Sequence, residues 1–425
     1  MNFKFIEFLL IKGLGDVVDF IVVGGASAGC VVAARLSENP KWKVLLLEAG
    51  GNPPIESEIP ALFGSIQRTK FDWQFSVKSE LTCKAAVNET CRYTRGKMLG
   101  GTSSLNGKQR PKEEDYDGWA ELGNTGWDYD SVLPYFKKSE GNQYEPFGIL
   151  EYASILCEWS TAKCRQSIFD SGKNRKNVHV IKHAFVKKIL IDENNNAYGA
   201  KFTYKEKGTF KACARKEVIV SAGSFLSPQL LMNSGIGPKK HLEKFHIPVK
   251  ADIPVGRNLT DHQSVYVWFR FNSTETSSTA QLDSLYQYVV HGTGPLTSRG
   301  VTNVNGFINI ANTTGAPNIQ VQVFYCTENS SALTSFASGY KDGIKQKLLN
   351  ETLTHDLAAV VISNIHPKSR GYVKLNRTSV YGKPIVNPRF FSNPDDVEVL
   401  LQAMKQQLSF ENTTSYQAND GEFEE

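Results

Sequence analysis

The chain has 425 residues, of which 40% are hydrophobic and 21% charged, which is typical of a globular protein large enough for two domains. Its formal net charge is only +5 and its basic residues are scattered among acidic ones, so the sequence predicts no nucleic-acid partner. No apolar run approaches the roughly 18 residues that a membrane-spanning helix requires, so we expect no membrane span.

The first strand, helix and second strand are predicted within residues 19–51. Residues 20–23 (FIVV) and 44–47 (VLLL) are uninterrupted apolar runs, as expected of strands that are covered on both faces. Residues 27–38 begin with small side chains and continue with apolar ones, which predicts a helix between the two strands. This alternation favours a parallel, doubly wound sheet.

Later segments predict a second, different architecture. Residues 178–199 suggest two strands around a turn at 192–196, and residues 217–220 another buried strand, followed by a helix at 228–233. From residue 265 onward the apolar residues alternate, which predicts mainly antiparallel strands. We therefore expect a first domain at 17–264, a largely antiparallel second domain at 265–408 and a disordered tail at 409–425. The fold class is α/β followed by α+β.

The turn after the first strand carries the strongest local signal. Its sequence is GGASAG at residues 24–29, and small residues there let backbone amides approach a pyrophosphate at the helix N-terminus. Glu48 ends the second strand, where an acidic side chain binds ribose hydroxyls. Ala26 replaces the second glycine of the G-x-G-x-x-G pattern, and its methyl group narrows the approach to the phosphates. This turn alone does not distinguish FAD from NAD(P).

Several collinear stretches resemble the glucose–methanol–choline (GMC) family of FAD oxidoreductases, and in particular its secreted insect branch. They are residues 19–51, 95–107 (RGKMLGGTSSLNG), 115–140, 221–238, 255–262 and 367–371. The resemblance covers nearly all of residues 19–404. It implies a Rossmann-like FAD-binding domain, a mainly antiparallel-sheet substrate domain, and a helix at 115–140. It also implies oxidation of an alcohol or sugar by hydride transfer to flavin N5, with an electron acceptor such as a quinone.

The same resemblance implies a set of cofactor-binding residues. Asn106 is expected at the flavin ring and the Val186 backbone at the adenine, although a turn residue and a core strand residue are the alternatives. No metal site is expected. The full set is Gly24, Gly25, Ser27, Ala28, Gly29, Glu48, Ala49, Met98, Gly101, Thr102, Asn106, Gly107, Val186, Ala222 and Gly223. His262, Ser227 and Ser234 are interpreted as structural rather than catalytic.

Three departures from the family bear on activity. A charged stretch stands at 108–114, only a short bridge connects residues 142 and 160, and no histidine follows His366. The family's catalytic histidine lies in its C-terminal section, so we expect a C-terminally truncated member that is inactive or impaired and that aggregates readily. A non-catalytic secreted protein that binds flavin or a partner is the main alternative. An NAD(P) dehydrogenase is a second alternative. Residues 95–107 and 222–238 argue against it, because they resemble flavin-binding segments of the family.

Two features indicate an extracellular protein, even though the N-terminus offers no clear signal. The apolar patch in the first 15 residues is interrupted by Glu7, unlike a secretory signal. Cys83 and Cys91 are close enough for a short disulfide loop, with two free buried thiols as the alternative. Glycosylation sequons begin at Asn88, Asn258, Asn272, Asn312, Asn329, Asn350, Asn376 and Asn412.

Overall fold

The computed structural model describes residues 17–62, 64–79, 81–105, 113–140, 175–272, 281–294, 296, 304–310, 316–326, 331–418 and 422–424. Its strands are β1 (Val18–Val23), β2 (Val44–Leu47), β3 (Phe75–Lys78), β4 (Thr90–Tyr93), β5 (Val178–Ile181), β6 (Ala184–Ile191), β7 (Ala197–Tyr204), β8 (Thr209–Val220), β9 (Arg257–Leu259), β10 (Gln263–Asn272), β11 (Val304–Ile308), β12 (Ile319–Cys326), β13 (His355–Asn364), β14 (Gly371–Lys374), β15 (Ile385–Asn387) and β16 (Glu422–Glu424). Its α-helices are α1 (Ser27–Leu36), α2 (Glu113–Glu121), α3 (Tyr129–Glu140), α4 (Gly223–Asn233), α5 (Lys239–Glu243), α6 (Gln281–Tyr286), α7 (Ser331–Ala337), α8 (Asp342–Glu351), α9 (Pro394–Leu408) and α10 (Thr414–Gln417). None of these helices is long and apolar enough to cross a membrane.

The nucleotide-binding part is built on a six-stranded sheet in the order β5-β2-β1-β8-β7-β6. Strands β5, β2, β1 and β8 are parallel, and every residue of β1 and β2 is buried, which explains their uninterrupted apolar sequences. Strands β7 and β6 are added to β8 in antiparallel fashion. The predicted parallel sheet is therefore confirmed for four of the six strands, and the other two extend it in antiparallel fashion.

The prediction of two strands in residues 178–199 is wrong, because three strands begin there. Strand β5 joins the parallel half, whereas β6 and β7 form a hairpin around the predicted turn at 192–196. His183 lies between β5 and β6 with φ of 57°, a left-handed conformation that redirects the chain. A conformation imposed at one residue leaves no mark in the apolar pattern.

The substrate part contains a five-stranded antiparallel sheet in the order β11-β12-β13-β10-β16, as predicted. Strand β13 is its centre, and nine of its ten residues are buried. Helix α9 covers one face, where Leu400 and Ala403 pack with Phe269 and Ile362. Asn393 caps this helix by accepting a hydrogen bond from the Asp395 amide at 2.9 Å.

Within the tail at 409–425 that the sequence predicted to be disordered, residues 409–418 and 422–424 have helical and strand structure. Strand β16 pairs with β10, and α10 carries Tyr416 onto the same strand. The Tyr416 ring lies 5.2 Å from that of Phe269 and 5.3 Å from that of Phe271. Without β16, β10 would be the edge strand of this sheet, and Tyr416 packs on it although the tail is mainly polar.

A disulfide between Cys83 and Cys91 closes the loop that connects β3 to β4, so this pair does not consist of free thiols. The residues 85–87 in that loop bind the substrate part: Lys341 N–H donates to Ala85 O at 2.8 Å, and Val87 N–H to Gly339 O at 3.0 Å.

Residues 115–140 form two helices, α2 and α3, rather than one, because Gly123 and Gly126 take positive φ between them.

Candidate functional site

The glycine turn between β1 and α1 is held in a shape that only glycine allows. Gly24 has φ of 99° and donates its N–H to Leu47 O at 2.8 Å, which ties the turn to β2. A Cβ atom on Gly29 would lie 1.8 Å from Gly24 O, so helix and strand approach as closely as glycine permits. This is the close packing that the sequence pattern predicted.

No side chain caps the first turn of α1. The helix begins after Ala26, which makes no side-chain cap, and its first turn contains no acidic residue. Ser27 and Ala28 are exposed. The leading N–H groups of a helix have no partner within the helix, and the helix dipole makes this end favourable for an anion.

Glu48 lies at the carboxyl end of β2 and is 6% exposed. Its Oε2 accepts from Gly25 N–H and its Oε1 from Gly50 N–H, both at 2.7 Å. Burial raises the pKa of Glu48 to about 7, and the two amides and nearby Lys97 only partly oppose that effect. A hydrogen-bond donor on a ligand would favour the ionised carboxylate further.

The segment 96–105 lies directly on the glycine turn. Gly100 N–H donates to Gly25 O at 2.8 Å, and Leu99 N–H to Gly51 O at 3.0 Å. A Cβ atom on Gly101 would lie 2.5 Å from the methyl carbon of Ala26, so the glycine at 101 makes room for the alanine at 26. Thr102 Oγ1 accepts from Gly96 N–H at 3.1 Å and so holds its own loop.

These elements surround a cavity that is partly open to solvent. It lies at the carboxyl ends of β1 and β2, the usual ligand position in an open α/β sheet. Its lining includes five of the predicted residues: Gly24, Glu48, Ala49, Val186 and Ala222. The other lining residues are Val23, Ala26, Leu47, Trp73, Gly96, Ala184, Phe185, Ser221, Leu226, Gln229, Leu230 and Asn233.

The remaining predicted residues have other positions. Asn106 and Gly107 lie outside the described residues. The Met98 side chain is fully buried and packs with Ile66 and Leu105, so only its backbone belongs to the loop beside the cavity. The others lie in the glycine turn, in the segment 96–105 or at the start of α4, next to the lining: Gly25, Ser27, Ala28, Gly29, Gly101, Thr102 and Gly223.

The three residues that were interpreted as structural are not part of the cavity lining. Ser234 donates to Leu230 O at 2.7 Å and accepts from Ile189 N–H at 2.8 Å, which fixes the end of α4 against β6. Ser227 lies within α4. His262 precedes β10, and its backbone N–H donates to Asp261 Oδ1 at 3.1 Å.

Sequence reasoning missed the aromatic and amide groups of the lining. Trp73 comes from the turn before β3, and its ring lies 6.0 Å from that of Phe185 on β6. Gln229 and Asn233 lie one turn apart on α4 and are both buried. Two buried amides on an otherwise apolar helix were the available signal, because buried amides need partners.

The comparisons with known proteins decide the family. The GMC oxidoreductase N-terminal region matches residues 18–160 and 157–264, and the C-terminal region matches residues 367–423. The chain belongs to the GMC oxidoreductase family. This is a family of FAD-dependent oxidoreductases acting on alcohols and sugars, and membership confirms the FAD cofactor predicted from the sequence.

Individual relatives agree with this assignment. The glucose dehydrogenase [FAD, quinone] of Drosophila pseudoobscura pseudoobscura is 30% identical over 442 residues, covering 91% of this chain and 69% of that protein. The ecdysone oxidase of Spodoptera littoralis is 31% identical over 472 residues, covering 95% and 76%. The structure of a formate oxidase from Aspergillus oryzae superposes with a TM-score of 0.75 at 24% identity, covering 93% of this chain and 81% of that one, which supports the fold.

The residues of the cavity fit one half of an FAD molecule. The glycine turn and the first turn of α1 form a cradle for a pyrophosphate, and Glu48 offers acceptors at the expected ribose position. The rings of Trp73 and Phe185, together with the side chain of Leu226, provide apolar walls for a base. The segment assigned to the flavin ring includes Asn106, which lies outside the described residues.

Proposed function

We propose that this protein is an FAD-dependent oxidoreductase that oxidises a CH–OH group of an alcohol or sugar and passes electrons to an acceptor such as a quinone. One observation supports this proposal: hydrogen bonds connect the glycine turn to Glu48 and to the segment 96–105, and all three lie around one cavity. The bound FAD would accept the substrate's hydride at flavin N5. The quinone acceptor is supported by the name of the glucose dehydrogenase relative.

The residues of this chain would hold the cofactor rather than perform the proton transfer. The amides at the start of α1 would bind the pyrophosphate, and the Glu48 carboxylate would accept from ribose hydroxyls. The Val186 backbone and the apolar walls would enclose the adenine. Gly25, Gly29, Gly101 and Gly223 would shape the backbone for this fit.

We further propose that this oxidoreductase turns substrate over poorly. A base that removes the hydroxyl proton typically contributes about 10²–10⁴-fold to such a reaction. The resemblance places the catalytic histidine in the C-terminal section, and the sequence has no histidine after His366. A flavin-binding protein without turnover is the alternative, and the same experiment distinguishes the two.

The experiment is a visible absorption spectrum of the purified chain, followed by addition of alcohols and sugars without oxygen. Bound oxidised flavin that is bleached slowly supports an impaired oxidoreductase, and flavin that no substrate bleaches supports the binding protein. Gly29→Ala should lose the flavin, because its methyl group would meet Gly24 O. Gly118→Ala is the matched control, because nothing lies within 4 Å of the added atom. A folded wild-type chain without flavin would contradict the proposal.

We also propose that the protein is extracellular and glycosylated. The disulfide of the β3–β4 loop fits an oxidising compartment. The sequon residues Asn88, Asn258, Asn350 and Asn412 are exposed. Expression in a secretory host followed by treatment with an N-glycosidase should convert glycosylated asparagines to aspartates, detected by peptide mass spectrometry. Secretion with no converted site would contradict the glycosylation.

A further inference from the structure

Three lysines lie side by side on the antiparallel strands β6, β7 and β8. Lys201 of β7 is paired with Lys188 of β6 on one side and with Lys211 of β8 on the other. Paired residues on neighbouring antiparallel strands have Cα atoms about 4.5–5.5 Å apart, so these three form a row about 10 Å across. We call Lys188, Lys201 and Lys211 the lysine row. Strand pairing creates it, since the three are well separated along the chain.

The lysine row faces away from the core. Successive residues of a strand point to opposite faces of the sheet. Lys201 stands between Ala200 and Phe202, which are fully buried. The residues that follow the other two lysines, Ile189 and Ala212, belong to the same core cluster. Two of the three lysines are exposed and the third is half-buried, so all three are on the outer face.

No acidic side chain neutralises this row. In the part of the chain that the structure describes, none of the three lysines forms an ion pair. Residues 184–220 contain eight basic and four acidic residues, and so carry four of the five net positive charges of the chain. The acids lie at a distance: Asp192, Glu193 and Glu206 are in the two turns, and Glu217 lies about 20 Å further along β8. Like charges at directly opposite positions destabilise a sheet, so the row suits a partner with several anionic groups.

The other side chains of this face distinguish between kinds of polyanion. Along their strands the lysines are flanked by small or half-buried residues: Leu190, Gly199, Thr203, Thr209 and Cys213. None of these is aromatic, so the face offers no platform on which nucleic-acid bases stack. It also offers no exposed large apolar side chain that would insert into a lipid surface. Lysine lacks the planar fork with which arginine binds phosphates and base edges.

We propose that the lysine row binds a sulfated polysaccharide, whose sulfate groups recur along a flexible chain that would lie across β6, β7 and β8. Clusters of basic residues are the general means by which proteins bind such chains. Sulfated polysaccharides are polyanions of the extracellular space, which agrees with the disulfide of the β3–β4 loop. None of the three lysines lines the cavity, so this surface is separate from cofactor binding.

The test is a calorimetric titration of the full chain with a heparin octasaccharide at about 0.15 M salt, where distant charges are screened. The double variant Lys201→Gln, Lys211→Gln should bind at least about ten-fold more weakly, because each lysine at an anionic surface contributes about five-fold. Lys78→Gln, Lys405→Gln is the matched control. It removes the same charge from two exposed lysines outside residues 184–220, and it should bind like the wild type.

Urea unfolding provides a readout that does not involve the polysaccharide. The Lys201→Gln, Lys211→Gln protein should be at least as stable as the wild type, because the substitutions relieve repulsion between opposite positions. Weaker heparin binding by this stable protein would therefore report the loss of a binding surface rather than a loss of fold.

The proposal is overturned without any variant if the wild-type chain does not bind the heparin octasaccharide, or binds its desulfated form equally well. Equal weakening in the two double variants would also overturn it, because the chain would then respond only to net charge. Tighter binding of a DNA oligonucleotide of matched charge would assign the row to nucleic acid instead. Tighter binding of phosphatidylserine vesicles would assign it to a membrane.

Discussion

The backbone N–H of Gly25 donates a 2.7 Å hydrogen bond to Oε2 of Glu48, which joins the glycine turn to the end of β2. The second oxygen of the same carboxylate holds Gly50 in the same way. A single buried acid thus positions backbone on two sides of the cavity. Because burial raises the pKa of Glu48 to about 7, this arrangement depends on pH.

The first prediction concerns stability without cofactor. The pKa of Glu48 is about 7 in the folded chain and 4.5 for a glutamate exposed to water, so the folded chain binds a proton more strongly and is stabilised at low pH. That stabilisation, at most about 3 kcal/mol, should be lost as pH rises from about 4.5 through about 7. Urea unfolding of Glu48→Gln should show less of this decline. The exposed Glu217→Gln is the control, and equal declines in wild type and Glu48→Gln would contradict the prediction.

The second prediction concerns the contact between Ala26 and Gly101. Gly101→Ala should destabilise the chain, because its methyl group would meet Ala26 at 2.5 Å and its φ is 56°. In an Ala26→Gly background the cost should fall, giving a coupling of about 1–3 kcal/mol in a double-mutant cycle. Chemical unfolding of the four proteins measures it. Gly223→Ala is the control. An alanine there is strained by the φ of 84°, but no atom lies within 4 Å of the added methyl group. The destabilisation by Gly223→Ala should therefore be the same whether residue 26 is alanine or glycine. Additive effects at 26 and 101 would contradict the contact.

The sequence predicted those features that depend on local pattern. The strands β1 and β2, the glycine turn and Glu48 follow from apolar runs and spacing, and all lie as expected. It did not predict Asn233 as part of the cavity lining, because the orientation of its amide depends on Val380, which is distant in the chain. The break at His183 and the packing of Tyr416 also depend on tertiary contacts that no local pattern encodes.

The third prediction concerns the disulfide loop between β3 and β4. Replacing both Cys83 and Cys91 by serine should cost about 2–3 kcal/mol, because the unfolded chain loses a constraint. It should also speed hydrogen exchange at two amides that join the loop to the substrate part. These are the amide of Val87, which donates to Gly339 O, and the amide of Lys341, which donates to Ala85 O. Cys213→Ser, at a free cysteine of β8, is the control. Unchanged protection at Val87 and Lys341 would show that the loop holds the substrate part without the disulfide.

The fourth prediction concerns the tail that the sequence suggested to be disordered. Tyr416 packs edge-on against Phe269 and Phe271 of β10, and such aromatic pairs contribute about 0.5–1.5 kcal/mol each beyond buried area. Tyr416→Ala should therefore lower the free energy of unfolding by about 1–3 kcal/mol, whereas Tyr416→Phe should keep most of it. Tyr135→Ala on α3 is the control, because that side chain is 73% exposed. If Tyr416→Ala were as stable as wild type, residues 409–418 would contribute nothing to the fold, and the polar composition would have been the better guide.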